Sequence, residues 1–257
     1  MEPDPRDFYD ALANDYHLIF DDWDASILRQ SAVIHSLLGS QPQRVLDVAC
    51  GMGTQAIGLT RLGHVVVARD LSPALVKRAK VEAHRLGTAV DISVGDMRLA
   101  VSADLSAFDA VIAFDNALPH LETDADLFAA LKAAHDALRP GGRLFASIRD
   151  YDDLVRKKPS CDPPRRLGSG DNERVVLQLW DWDQDGRGYC LQHIILVRDG
   201  QARWQARTTR GHYRALLRRE LSDAAASVGF RDPHWTEPEV SGFYQPIFIA
   251  TKPGAES

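Results

Sequence analysis

Val45-Leu46-Asp47-Val48-Ala49-Cys50-Gly51-Met52-Gly53-Thr54-Gln55-Ala56 is the stretch that decides the fold. Its first four residues read as a buried strand. The Gly51/Gly53 pair then turns the chain, and a helix is expected from Thr54 to Leu62. Gly51, Gly53 and Ala56 fit G-x-G-x-x-A, a loop that admits a ligand against the backbone. Dehydrogenases fit that pattern too, but Asp47 argues against them. A carboxylate at the strand end is badly placed for a pyrophosphate and well placed for a cation. The Lys-Ser/Thr pair of a P-loop is missing.

Outward from this loop the pattern alternates. Strands are expected at Val65–Ala68, Val90–Val94, Phe108–Ala113 and Arg143–Ile148. Ser72 and Pro73 read as N-cap and first residue of a helix ending near Leu86, and a second helix should run from about Asp124 to Leu138. Alternation of this kind predicts an α/β fold, a parallel sheet with helices on both faces and ligands beyond the carboxyl ends of its strands. Asp70 follows the second strand, where a carboxylate can accept both hydroxyls of a ribose. Asp96 and Met97 follow the third and suit the amino edge and face of an adenine. A positively charged adenine nucleoside answers all these features, which makes S-adenosylmethionine the expected cofactor.

Before the sheet, residues 7–38 read as helix in two pieces broken near Asp21-Asp22, with Leu28, Ala32, His35 and Leu38 at helical spacing. After Tyr151 the pattern changes. Lys157 to Asn172 reads as loop, followed by strands at 174–184, 188–198 and 201–209 joined by Asp185-Gly186 and Asp199-Gly200. A helix from His212 to Val228 and strands near Phe230–Trp235 and Gln245–Thr251 return to the sheet. The expected division is a helical cap (1–40), a cofactor-binding core (41–151), an antiparallel β lid (152–210) and a return to the core sheet (211–257).

Composition narrows the class. Of 257 residues, 30 are Lys or Arg and 36 are Asp or Glu, for a net charge of −6. That balance opposes a protein built to hold nucleic acid. No apolar run approaches the roughly 20 residues needed to cross a bilayer, and the polar start Met1-Glu2-Pro3-Asp4 does not read as a signal peptide. Three cysteines without a CxxC or any metal-ligand spacing fit a reduced, cytoplasmic chain with no metal. The expected partner is a small-molecule substrate, with neither nucleic acid nor membrane.

Residues 45–54 resemble the first motif of class I S-adenosylmethionine-dependent methyltransferases. Asp70-Leu71-Ser72-Pro73, Gly95-Asp96-Met97, Phe108-Asp109-Ala110-Val111 and Leu138-Arg139-Pro140-Gly141-Gly142 match later motifs in order. A narrower resemblance, to glycine and glycine/sarcosine N-methyltransferases, rests on Tyr9 to Ala13, Tyr16 to Trp23, Asp115 to Leu121, Arg149-Asp150-Tyr151-Asp152, the β insertion and Tyr244-Gln245-Pro246. It implies that Asp47, Ala49 and Gly51 line the methionine end of the cofactor. Asp70 and Leu71 would serve the ribose, and Asp96 and Met97 the adenine. Asp115, Asn116 and His120 would follow the fourth strand beside the transferable methyl. Tyr16, Trp23 and Arg29 would close over the cofactor. Arg149 would hold a substrate carboxylate, with Tyr151 beside it.

Each role has a plainer alternative. Arg149 can instead pair with Asp150 or Asp152, and His120 can be a packed helix residue. The aromatics Tyr16, Trp23, Tyr151, Tyr189, Tyr213 and Tyr244 can form a cage for a methylated cation or simply pack. Trp180 and Trp182 share a strand face and should pack the lid on the core, while Arg214 to Arg219 read as the solvated face of a helix. The expected function is methyl transfer to the amine of a small amino acid, glycine or sarcosine foremost. The alternatives are another small metabolite as acceptor, or a non-catalytic cofactor-binding protein.

Overall fold

The structure, a computed structural model, describes residues 4–101, 107–199 and 203–254. Helix α1 (Pro5–Leu12) starts at Asp4, whose side chain caps it, and a 3₁₀ turn (Tyr16–Ile19) leads to α2 (Trp23–Leu38). The expected break near Asp22 is present because the Asp22 side chain accepts the Ala25 N–H and starts the new helix. The buried stripe of α2 differs from the expected one. Ile27, Ser31, Ile34 and Leu38 face the core, whereas Leu28 stands 59% exposed.

Seven strands form the main sheet: β1 (Arg44–Asp47), β2 (Val65–Asp70), β3 (Asp91–Val94), β4 (Phe108–Ala113), β5 (Leu138–Ser147), β10 (Arg231–Thr236) and β11 (Ile247–Thr251). Their order is β10-β11-β5-β4-β1-β2-β3. Helices α3 (Thr54–Arg61), α4 (Pro73–Arg85) and α5 (Asp124–Ala137) join the parallel strands. Ser72 caps α4 through the Leu75 N–H, with Pro73 opening it, as its sequence predicts. The sheet is mixed rather than parallel, because β11 runs antiparallel to both β5 and β10. Only α8 (Pro238–Ser241) and short flanking turns connect β10 to β11, too little chain for a parallel crossover.

After α6 (Tyr151–Lys157), a separate antiparallel sheet has the order β6-β7-β8-β9, with β6 at Arg165–Leu167, β7 at Arg174–Trp182, β8 at Gly188–Arg198 and β9 at Trp204–Arg214. Strand β6 lies where the sequence reads as loop. Strand β9 begins later than expected and continues past 210, so His212 to Arg214 are strand, and helix α7 spans only Arg218–Val228. The Asp185-Gly186 hairpin is present, with Gly186 left-handed at φ 69°. Gly200 of the second expected turn lies outside the described residues. Arg214 is buried and paired with Asp124 and Glu220, and Arg218 is paired with Glu237. Arg214 and Arg218 are thus ties between elements, because β9 carries Arg214 against the core, while Arg219 is solvated as expected, its side chain 90% exposed.

The cap joins both bodies. Phe8 packs on Gly211 of β9, where any Cβ would lie 3.0 Å from the ring. Arg174 of β7 donates to the carbonyls of Leu18, Phe20 and Asp21. Trp180, Tyr189 and Tyr213 stack on the inner lid face and join the core cluster. No described helix is long and apolar enough to cross a membrane.

Candidate active site

Two cavities open at the carboxyl edge of the parallel strands. The first, about 430 Å³, is lined by Tyr16, Ala49, Gly51, Asp70, Leu71, Asp96, Met97, Asp115 and His120. Its floor is the glycine turn. Gly51 is left-handed at φ 55°, and a Cβ there would sit 3.5 Å from the Tyr16 ring. The two oxygens of Asp70 accept the N–H groups of Gly51 (2.7 Å) and Ser72 (2.9 Å), which fixes the carboxylate at the wall. Burial still pushes its pKa up to about 6. Asp96 is gripped by Arg98, whose hydrogen bonds hold the carboxyl below its usual range.

Asp47, 1% exposed at the end of β1, lines neither cavity. One oxygen accepts the Ala49 N–H at 3.3 Å and the other has no partner. Burial raises its pKa to about 8, with the Asp70 and Asp115 carboxylates adding to the rise. Its part is therefore to shape the turn from behind. Trp23 also departs from expectation. Its indole N–H donates at 3.0 Å to Thr54, a wall residue of this cavity, and its ring packs in the core cluster, so Trp23 backs the wall and does not itself line the cavity. Arg29 bonds Ser26 and lines the second cavity instead, because the first turns of α2 lie on that side.

The second cavity, about 840 Å³, lies between core, cap and lid, with Asn116, Arg149, Gln178, Trp180, His193 and Tyr213 on its walls. Tyr9, Tyr16 and Asp115 line both cavities, so the two meet there. Asp115 and Asn116 are both left-handed (φ 58° and 67°), a costly backbone that lets the chain after β4 face both chambers. Asp115 is held by Gln55 at 2.8 Å and by the Tyr244 hydroxyl at 2.5 Å, and burial raises its pKa. Asn116 accepts the Arg149 N–H and the Tyr151 hydroxyl, both at 3.0 Å, while its buried amide nitrogen has no partner. Tyr151 reaches neither cavity. It is fully buried and bonds Asn116 and Tyr189, so it supports the wall and does not touch a ligand. Arg149 does not pair with its sequence neighbours; Asp150 and Asp152 face Arg218. Its guanidinium lies over Trp180 at 4.5 Å.

His120 Nε2 lies 2.9 Å from the Tyr9 hydroxyl. Burial drives its pKa down to about 3, so the ring is neutral at any working pH. Sequence reasoning missed Gln55, Gln178 and His193. Gln55 had a signal, its place in the first turn of the helix after the glycine loop. Gln178 and His193 had only their alternation on two lid strands.

This sheet order, with a glycine turn after β1 and a carboxylate closing β2, is the Rossmann-like class I methyltransferase fold. Residues 45–142 match the family model described as a methyltransferase domain. The chain is 38% identical over 104 residues to ubiquinone biosynthesis O-methyltransferase of Xanthomonas axonopodis pv. citri, covering 40% of this chain and 42% of that protein. It thus spans less than half the length of the curated relatives it matches. Among solved structures it resembles CalS10, an amino pentose methyltransferase from Micromonospora echinaspora, with TM-score 0.69 and 24% identity over 93% of this chain and 95% of that one. CcbJ methyltransferase from Streptomyces caelestis gives TM-score 0.74 and 18% identity over 96% and 98% of the two chains. The sugar N-methyltransferase KedS8 from Streptoalloteichus gives 0.68 and 20% over 90% and 88%.

Proposed function

We propose that the chain is an S-adenosylmethionine-dependent N-methyltransferase whose acceptor is the amine of a small molecule carrying a carboxylate. The observation that carries this reading is the meeting of two chambers at Tyr9, Tyr16 and Asp115, with Arg149 in the wall of the second. The first chamber suits the cofactor in size and chemistry. Asp70 stands for the ribose, Asp96 and Met97 for the adenine, and the Gly51 turn for close approach. When bound, S-adenosylmethionine supplies a methyl already activated on a sulfonium. The protein must therefore align the acceptor and keep the site dry.

Arg149 grips the carboxylate as a planar fork and so aims the amine at the junction. The neutral His120 shares a hydrogen bond with the Tyr9 hydroxyl and so holds the Tyr9 oxygen at the junction, where it can accept an amine N–H and turn the nitrogen lone pair toward the methyl. At a pKa of about 3, His120 orients rather than removes a proton. The lid, which ends at Arg214 of β9, and the helical cap enclose the acceptor over the core sheet. Free thiols at Cys50, Cys161 and Cys190 suit a reducing cytoplasm.

Glycine and sarcosine are the smallest acceptors of this class. A chamber of about 840 Å³ favours a bulkier one, of the size an amino pentose suggests. The test offers methyl-labelled S-adenosylmethionine with glycine, sarcosine, larger amino acids, amino sugars and amino-sugar acids, following label by mass. Label on the amine of a carboxylate-bearing acceptor is expected. Transfer to neutral amines alone would sink the carboxylate. Cofactor binding with no transfer to any acceptor would favour the non-catalytic alternative.

A further inference from the structure

The lid holds Arg149 in one attitude. The guanidinium is stacked on Trp180, its Nη2 donates to Gln178 Oε1 at 2.9 Å, and its Nη1 reaches the Tyr189 hydroxyl at 3.4 Å. No described carboxylate lies within ion-pair distance of it. A guanidinium has five N–H donors, and these contacts leave part of the fork open to the chamber. Because a guanidinium only donates, Gln178 must turn its oxygen toward Arg149 and its amide N–H the other way. There it meets His193, whose Nε2 lies 3.0 Å off, directly across the β7–β8 ladder. That ring nitrogen must then be bare. His193 is 6% exposed, and burial, with the Arg149 charge beside it, keeps the ring neutral.

We propose that His193 and Gln178 form a positioning relay, in which the imidazole orients the amide and the amide orients Arg149, and that this relay sets the preference for a carboxylate on the acceptor. The inference rests on Arg149 being the acceptor's anchor. Without His193 the amide still turns its oxygen to Arg149 but loses the hold at its other end. Gln178 is then free to change rotamer, and Arg149 would swing with it over its aromatic bed.

The test compares the wild type with His193→Leu, Gln178→Leu and His193→Gln, whose side-chain carbonyl can still accept the amide N–H. Steady-state kinetics use the best carboxylate acceptor from the panel above and its carboxamide. The two leucine variants should raise KM for the carboxylate acceptor about tenfold, the loss of one charge-assisted hydrogen bond. They should leave kcat and the carboxamide KM within about twofold. His193→Gln should return KM to near wild type. Equal losses on both acceptors, a fall in kcat alone, no change in KM, or no rescue by glutamine would overturn the relay. Thermal melts and S-adenosylhomocysteine affinity identify a variant that has merely unfolded. If no acceptor is turned over, acetate is titrated and followed by tryptophan fluorescence. Affinity weakened in His193→Leu and kept in His193→Gln supports the relay even though the transfer reading has failed; equal affinities in all four proteins overturn it.

Discussion

Replacing Asp47 with asparagine should stabilise the chain, and the gain should grow with pH. Asp47 is the buried carboxyl at the end of β1, with one oxygen on the Ala49 N–H and the other without a partner. Burial and the nearby Asp70 and Asp115 raise its pKa from 3.8 to about 8. Above pH 4 the unfolded chain has released this proton while the folded chain keeps it. Stability therefore falls by about 1.4 kcal/mol per pH unit until about pH 8, then levels off. Asparagine has the shape of the protonated acid and no such slope. Urea unfolding of both proteins at pH 5, 6, 7 and 8 measures the gap. Its advantage over the wild type should widen by about 4 kcal/mol from pH 5 to pH 8, the slope taken over three units. A gap independent of pH, or an asparagine variant less stable at pH 8, would refute a buried, protonated Asp47.

Three further substitutions probe the chambers. Arg149→Ala should raise KM for a carboxylate acceptor by about 30-fold or more, the usual cost of stranding one partner of a buried ion pair, and leave cofactor affinity unchanged by calorimetry. Gly51→Val places a branched side chain at φ 55° beside Tyr16. Calorimetry with S-adenosylhomocysteine should show binding lost, with unfolding stability lowered by about 1–3 kcal/mol. Tyr9→Phe removes the partner of His120, and kcat should fall about tenfold or more with cofactor affinity retained; unchanged turnover would remove Tyr9 from the alignment of the amine.

The first chamber was legible because its signals are local. A strand, two glycines and a carboxylate at the next strand end fix Gly51 and Asp70 within a short stretch of chain, and Ser72-Pro73 declares its own helix. The second chamber was less so, because its contacts cross the fold. Arg149 meets Gln178 and Tyr189 only once the lid has folded over the core. Trp23 looked like a lid aromatic, yet the phase of α2 turned it inward. That phase was misread because polar Ser31 and Gln30 occupy the buried stripe. Strand β6 lay hidden among prolines and glycines because its pairing partner, β7, comes later in the chain. Arg214 looked solvated until β9 carried it past the expected end of the lid.

Tyr9 and Tyr16 belong to the cap and form wall in both chambers, while Arg174 and Phe8 bind that same cap to the lid. A ligand in either chamber therefore steadies a wall that the other ligand also needs, and each lowers the ordering cost left for the second. The two affinities should therefore be linked, and linkage is reciprocal: the factor by which bound S-adenosylhomocysteine tightens the acceptor must equal the factor by which the acceptor tightens it. Cutting the cap's tie to the lid, as in Arg174→Ala, should lower that common factor while leaving each ligand's affinity for the otherwise empty protein nearly as it was.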